Sequence, residues 1–294
     1  MKPMLAKTWG PKFNSFPCFL QPKLNGVRAL YQDGVFQSRD EKFWKEGKLA
    51  HLVQELQSIP ELHTGTSGTI LDGELYVHGW KLGRINGAVA VNSAEVTEDT
   101  LQIEFHIFDI VSPNHTFTGR FPFYEGMIMA KQLPHIKTVT TVICQEQTFL
   151  NNYFQACVAA GYEGTMLRPD GPYEFGSRWS ERAGKQTEFR SKFLWKKKQW
   201  EDGEYVCVGV TQGEGKAGIG IGALVLQGPI KDYNSYQLGQ RALAGHFNVG
   251  TGFDDSERIL LAANPPIGKL VRVRYPYLSE DGIPQCPSFV AVLS

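Results

Sequence analysis

Lys23 opens the segment Lys23-Leu24-Asn25-Gly26-Val27-Arg28 and lies between two short stretches that read as strands, 19–22 and 26–31. The backbone must turn sharply at Gly26. A lysine amine acts as a nucleophile only when neutral, and neighbouring cations favour that form. The chain supplies a dense basic cluster far downstream: Arg190, Lys192, Lys196, Lys197 and Lys198. If that segment is extended, Lys196 and Lys198 share one face and Lys197 points to the other. Taken singly, each candidate also has an ordinary reading. Lys23 reads as an exposed hairpin lysine, Glu74 and Glu163 as surface acids at strand ends, and Phe108 as core. Arg28 and Arg39 read as solvated hairpin charges. The glycine-rich run 213–218 is not a phosphate-binding P-loop, because no Ser or Thr follows Lys216 and no helical period begins there; a turn between strands is expected.

The elements that must position these residues are legible in the patterning. The chain has 294 residues, 42% hydrophobic and 20% charged, enough for one large or two ordinary domains with a normal core. Asp33-Gly34 marks a hairpin turn. Leu49, Leu52, Val53, Leu56 and Ile59 recur at helical spacing before Pro60, and residues 149–158 form a second amphipathic helix capped near Gly161. A strand pair is expected over 69–77 around Asp72-Gly73, and a strand through Leu101, Ile103, Phe105 and Ile107. Beyond about Trp200, helical periodicity gives way to short strands and glycine-rich turns, the texture of a small β-barrel. A helix is expected to open near Glu257. Two domains are therefore expected, 1–198 and 199–294. Lys/Arg and Asp/Glu are 30 each over the whole chain, but 23 against 20 in the first part and 7 against 10 in the second. Five well-separated cysteines without a CxxC indicate neither a disulfide scaffold nor a zinc site. No apolar run is long enough for a membrane span, and the first residues are too broken for a signal peptide. A cytoplasmic protein is expected.

The candidate residues fall in a familiar order. Lys23-Leu24-Asn25-Gly26-Val27-Arg28 is followed by Leu71-Asp72-Gly73-Glu74-Leu75, then by Phe105-His106-Ile107-Phe108-Asp109. Glu163-Gly164-Thr165-Met166-Leu167-Arg168 and Leu194-Trp195-Lys196-Lys197-Lys198 complete the series. It resembles the nucleotidyltransferase motifs of the small two-domain ATP-dependent DNA ligases, within the covalent nucleotidyltransferases. The resemblance implies an α+β fold: an adenylation domain of antiparallel sheets and helices, then an oligonucleotide/oligosaccharide-binding (OB) β-barrel. It implies that Lys23 becomes bonded to AMP and that ATP is bound by Lys23, Arg28, Arg39, Glu74, Phe108, Lys196 and Lys198. Glu163 and Glu74 would hold Mg²⁺, with Mn²⁺ as an alternative. Arg28, Arg39, Asn25 and Lys192 would contact DNA. The implied substrate is nicked double-stranded DNA, sealed by a monomer without a membrane. RNA ligases, capping guanylyltransferases and non-catalytic nick-binding relatives share parts of the pattern.

Two departures stand out. Asn25 occupies a place where the family usually has Asp; it keeps the hydrogen-bonding shape without the charge, which bears on the sealing step. The family's basic segment near the end of the barrel is also missing: no Arg or Lys follows Arg274, and Gln285 stands where an Arg is common. Weaker ATP binding or slower lysine adenylation than in relatives carrying that segment is expected. An ATP dissociation constant and a single-turnover adenylation rate equal to theirs would contradict this.

Overall fold

The computed structural model describes residues 1–63, 68–214, 218, 220–228, 245–279 and 281–293. Backbone contacts divide the chain into two compact units, Met1–Lys198 and Gln199–Ser294.

The first unit is built on two five-stranded sheets. One contains β1 (Leu5–Thr8), β2 (Cys18–Lys23), β8 (Val142–Cys144), β9 (Gly164–Pro169) and β12 (Arg190–Lys198), in the order β1-β12-β9-β2-β8. The other contains β3 (Val27–Gln32), β4 (Val35–Ser38), β5 (Leu71–Tyr76), β6 (Glu104–Ile110) and β7 (Ile136–Thr138), in the order β4-β3-β5-β6-β7. Pairing is antiparallel except at β1–β12 and β6–β7. Lys23 is therefore not in a hairpin: β2 and β3 belong to different sheets, and the turn after Lys23 carries the chain from one to the other. Gly26 is needed for that crossing, since a Cβ there would lie 2.4 Å from the Leu75 carbonyl oxygen.

Helix α1 (Ala50–Gln57) buries Leu52 and Leu56, four residues apart on one face, into a core shared with Leu75, Phe105, Ile107 and Tyr124. Full burial of each such leucine contributes about 1.5–3 kcal/mol. Helix α5 (Gln147–Ala159) buries Leu150 and Phe154, and the chain leaves it through Gly161 at φ +85°. Between these lie α2 (Leu82–Ala88), α3 (Glu98–Leu101) and α4 (Phe117–Met129). Leu101 ends α3 and is exposed, so the expected strand begins only at Glu104. Asp33-Gly34 is the expected turn, with φ of 48° and 84°. Asp72-Gly73 is not a turn; both lie inside the single strand β5. Asp72 is fully buried and takes two hydrogen bonds from Arg28, at 2.9 and 2.5 Å, and one from Tyr173 at 2.7 Å. A Cβ on Gly73 would meet the His106 carbonyl oxygen and the Phe105 ring at 2.6 Å. Tertiary pairing overrides the local turn preference of Asp-Gly.

The second unit has the sheet order β15-β14-β13-β16-β17, from β13 (Glu201–Gln212), β14 (Ile221–Gln227), β15 (His246–Val249), β16 (Leu270–Tyr275) and β17 (Ser288–Val292). Strand β13 is long enough to pair with β16 through residues 201–206 and with β14 through 207–212. A bridge between Thr251 and Ser288 joins the two edges and closes the sheet into a barrel. Alternation along β16 is strict, with Val271, Val273 and Tyr275 inside and Arg272 and Arg274 outside. The expected helix is α6 (Asp255–Ala263), capped by Asp254 and Glu257. Residues 215–217 of the glycine-rich run lie outside the described residues. Among the described residues no helix is long and apolar enough to cross a membrane.

A buried ion network ties the two sheets of the first unit. Asp109 at the end of β6 receives Arg120 at 2.7 and 3.0 Å and Arg168 of β9 at 2.6 Å; Arg168 also donates to Gln21 of β2 at 2.6 Å. Asp109, Arg120 and Arg168 are almost fully buried. Asp109→Ala leaves two buried guanidiniums without their carboxylate and is expected to lower unfolding stability by about 3–5 kcal/mol, as read by urea denaturation.

Candidate active site

Strand β9 lies between β2 and β12, and its first residue organises the site. Gly164 is paired with Lys23 on one side and with Lys198 on the other. Its φ is +150°, and a Cβ would sit 2.1 Å from the Lys197 carbonyl oxygen. Only glycine permits this approach, which brings the two lysines into one cross-strand row. Glu163 immediately precedes it and donates its backbone N–H to the Lys23 carbonyl at 3.0 Å. One Glu163 carboxylate oxygen then takes the Lys23 ammonium and the other takes the Lys198 ammonium. Burial alone would raise the Glu163 carboxyl, but Lys23 and Lys198 outweigh it and hold the group below the usual carboxylate range.

Lys23 and Lys198 of this row line a cleft of about 440 Å³ together with Arg28, Arg39, Glu74, Phe108 and Lys196, all within the first unit, while Glu163 stands behind the two lysines and is not among the lining residues. Lys196 is two residues from Lys198 on the same face of β12. Burial, then the charges of Lys198, Lys23 and Arg190, push its pKa down to about 8. Glu74 accepts the Gly26 N–H at 3.2 Å. Burial pushes its pKa up to about 7 against the opposing pull of Lys23 and Arg28. Phe108 is half-buried, with the Arg28 and Arg168 guanidiniums 5.2 and 5.4 Å from its ring centre. Its carbonyl is held by Gln21 at 3.1 Å and by the Tyr124 hydroxyl at 2.9 Å. The aromatic ring is thus fixed by its own backbone and lines the cleft. Arg28 is locked by Asp72 and by the Met4 carbonyl at 2.6 Å. Arg39 is exposed and lies 3.8 Å from Glu188.

Lys197 does point away. Its ammonium hydrogen-bonds Asn151 at 2.7 Å and lies 4.1 Å from the Trp9 ring centre. Among the described residues the cleft lining includes neither Asn25 nor Lys192. Asn25 is half-buried in the turn, and Lys192 is exposed over the Phe193 ring. Leu82 and Asn86, four residues apart on α2, line the cleft without any signal in the local sequence, as does Gln21. Arg190 lines it too.

A pocket with an aromatic floor, a fixed lysine and converging cations suits a nucleoside triphosphate. A family model described as "ATP dependent DNA ligase domain" matches residues 3–184, more than half of the chain. The chain belongs to the ATP-dependent DNA ligases. A second family model, "DNA ligase OB-like domain", matches residues 212–292 of the ligase. Its fold is similar to several solved structures. A Lig E DNA ligase, described as binding DNA with a minimal scaffold, has TM-score 0.72 and 22% identity, covering 100% of this chain and 99% of that one. The chlorella virus DNA ligase–adenylate has TM-score 0.51 and 24% identity, covering 100% and 98%. The bacteriophage T7 ATP-dependent DNA ligase in complex with ATP has TM-score 0.53 and 15% identity, covering 99% and 98%. At these identities the likeness concerns the fold alone. No curated protein sequence matches the chain.

The charged form of Lys196, the form able to hold a phosphate oxygen, is lost as pH rises through about 8. ATP affinity of the free ligase is therefore expected to fall above that pH. Lys196→Arg, which stays charged, should retain binding there, as measured by a titration at several pH values. An unchanged alkaline fall in this variant would remove Lys196 from the phosphate site.

Proposed function

We propose that the ligase seals nicks in double-stranded DNA through an adenylate carried on Lys23. Lys23 gives up a proton, and its neutral amine attacks the α-phosphorus of ATP, forming a P–N bond as the bond to pyrophosphate breaks; the proton that the nitrogen sheds on bonding passes to the Glu163 carboxylate beside it or to solvent. An oxygen of the 5′-phosphate at the nick then attacks the same phosphorus, which frees Lys23 and leaves AMP on the DNA end. The 3′-hydroxyl attacks that end, closes the strand and releases AMP. The observation that carries this reading is the row Lys23–Glu163–Lys198 beside a cleft lined by Phe108.

Each residue has a distinct task. Glu163 fixes the Lys23 nitrogen in place, so little motion is needed for attack. Lys196 and Lys198 hold the α-phosphate and stabilise the charge that builds on its oxygens. The adenine stacks on Phe108, and Glu74 binds the ribose hydroxyls. Arg28, its guanidinium braced by Asp72, and Arg39 take phosphate oxygens of the nucleotide or the 5′ end. Asn25 and Lys192 lie outside the cleft lining and serve the DNA.

The chemistry of the donor set fits Mg²⁺ or Mn²⁺. Among the described residues no cluster of three acids, histidines or cysteines forms a closed cage. Glu74 and Asp40 line the cleft, Glu163 borders it with its oxygens on Lys23 and Lys198, and Mg²⁺ is commonly held by one or two carboxylates together with substrate phosphates; Glu74 would hold the ion, joined by Glu163 once an ammonium leaves it. Bound there, the ion would neutralise triphosphate charge. The ligase acts as a monomer, and its DNA affinity falls with rising salt.

A duplex with one 5′-phosphorylated nick, incubated with ATP and Mg²⁺ and resolved on a denaturing gel, tests the reading. Sealing is expected with ATP, is expected to fail with GTP, and is expected to disappear in Lys23→Ala. Sealing that persists in that variant would refute the role of Lys23.

A further inference from the structure

Strands β10 (Ser177–Ser180) and β11 (Lys185–Glu188) form a two-stranded sheet of their own. Ser177 faces Glu188 and Trp179 faces Gln186, so these four side chains share one side of the hairpin. That side borders the cleft. Glu188 lies 2.6 Å from Arg190 and 3.8 Å from Arg39, both of which line the cleft. On the same side Trp179 is 63% exposed and packs into none of the hydrophobic clusters among the described residues.

The rest of the hairpin is cationic. Between residues 177 and 190 four cations (Arg178, Arg182, Lys185 and Arg190) stand against two carboxylates (Glu181 and Glu188), and all six side chains are exposed. Arg178 and Lys185 project from the opposite side to Trp179, where Arg178 is stacked 3.3 Å from the Phe189 ring centre and paired with Glu174 at 2.6 Å; Arg182 in the turn and Arg190 remain beside the indole. An exposed indole beside a basic rim matches nucleic acid: the aromatic plane packs on bases and sugars, and the cations meet phosphates without reading sequence. A nucleotide does not explain Trp179, which is not among the cleft-lining residues.

We propose that the β10–β11 hairpin is a DNA-contact element, with Trp179 packing against the duplex beside the nick and Arg182, in the turn between the strands, and Arg190, beside Glu188, on its phosphates. This rests on the reading of the neighbouring cleft as the sealing site, and it adds a surface that none of the motif residues supplies. The Glu188 carboxylate occupies Arg39 and Arg190 until phosphate replaces it; exposed ion pairs of this kind are weak enough to exchange.

The test compares the 294-residue protein with its Trp179→Ala and Trp179→Phe variants. Fluorescence anisotropy reports binding to a 5′-phosphorylated nicked duplex whose 3′ end lacks the hydroxyl, and labelled ATP reports lysine adenylation in the same preparations. Trp179→Ala is expected to weaken duplex binding about tenfold, and Trp179→Phe to recover most of it. Adenylation is expected to match wild type in both. Duplex binding by Trp179→Ala equal to wild type overturns the proposal, and so does a parallel loss of adenylation, which would place the residue in the fold. If the wild-type protein forms no adenylate, the cleft reading fails, while the binding comparison still decides the hairpin.

Discussion

Two ammonium groups share one carboxylate beside the cleft of the first unit. Glu163 takes Lys23 with one oxygen and Lys198 with the other, and its side chain is only 7% exposed. Two lysines so close would repel each other and splay towards solvent without that anion between them. The same carboxylate keeps the amine of Lys23 in the cleft while leaving it close to a second cation. The arrangement depends on Gly164, because any side chain there would collide with the backbone of β12. The Glu-Gly pair thus couples a charge requirement to a steric one.

The cleft is held by a second layer of buried charge. Asp72 braces Arg28 and Tyr173, and Asp109 braces Arg120 and Arg168. Both carboxylates sit on neighbouring strands of one sheet, while Arg168 lies in the other. These buried pairs are satisfied by several hydrogen bonds each, the condition under which a buried ion pair is tolerable. They hold Phe108 and Arg28 relative to Lys23; Arg28 and Arg168 themselves line the cleft, whereas Asp72, Asp109 and Arg120 stand behind it.

Much of the site was legible because its residues sit at strand ends beside glycines that admit no side chain. Lys23 with Gly26 and Glu163 with Gly164 carry that signature, and the alternation along β12 separates Lys196 and Lys198 from Lys197. What stayed hidden depends on contacts distant in sequence. Asp72 and Gly73 have the composition of a turn, yet burial of Asp72 against Arg28 and Tyr173 makes them mid-strand. Leu101 matches the period of a strand but ends a helix capped by Thr97. Asp109, Arg168 and Gln21 belong to a network assembled from three strands, and Asn86 reaches the cleft only because α2 packs there. A surface lysine such as Lys192 carries no local mark that separates cleft from rim. The exposed Trp179 was equally silent, since an isolated aromatic in a sequence reads as core.

The central claim is that Lys23 is the nitrogen that carries the adenylate. Tandem mass spectrometry of a peptide spanning residue 23, taken from protein incubated with ATP and a divalent cation and kept at neutral to alkaline pH, addresses it directly. The account predicts an adenylate on the Lys23 side chain that is discharged when a 5′-phosphorylated nicked duplex is added. An adenylate on another residue, or none at all under conditions where strands are sealed, would contradict it.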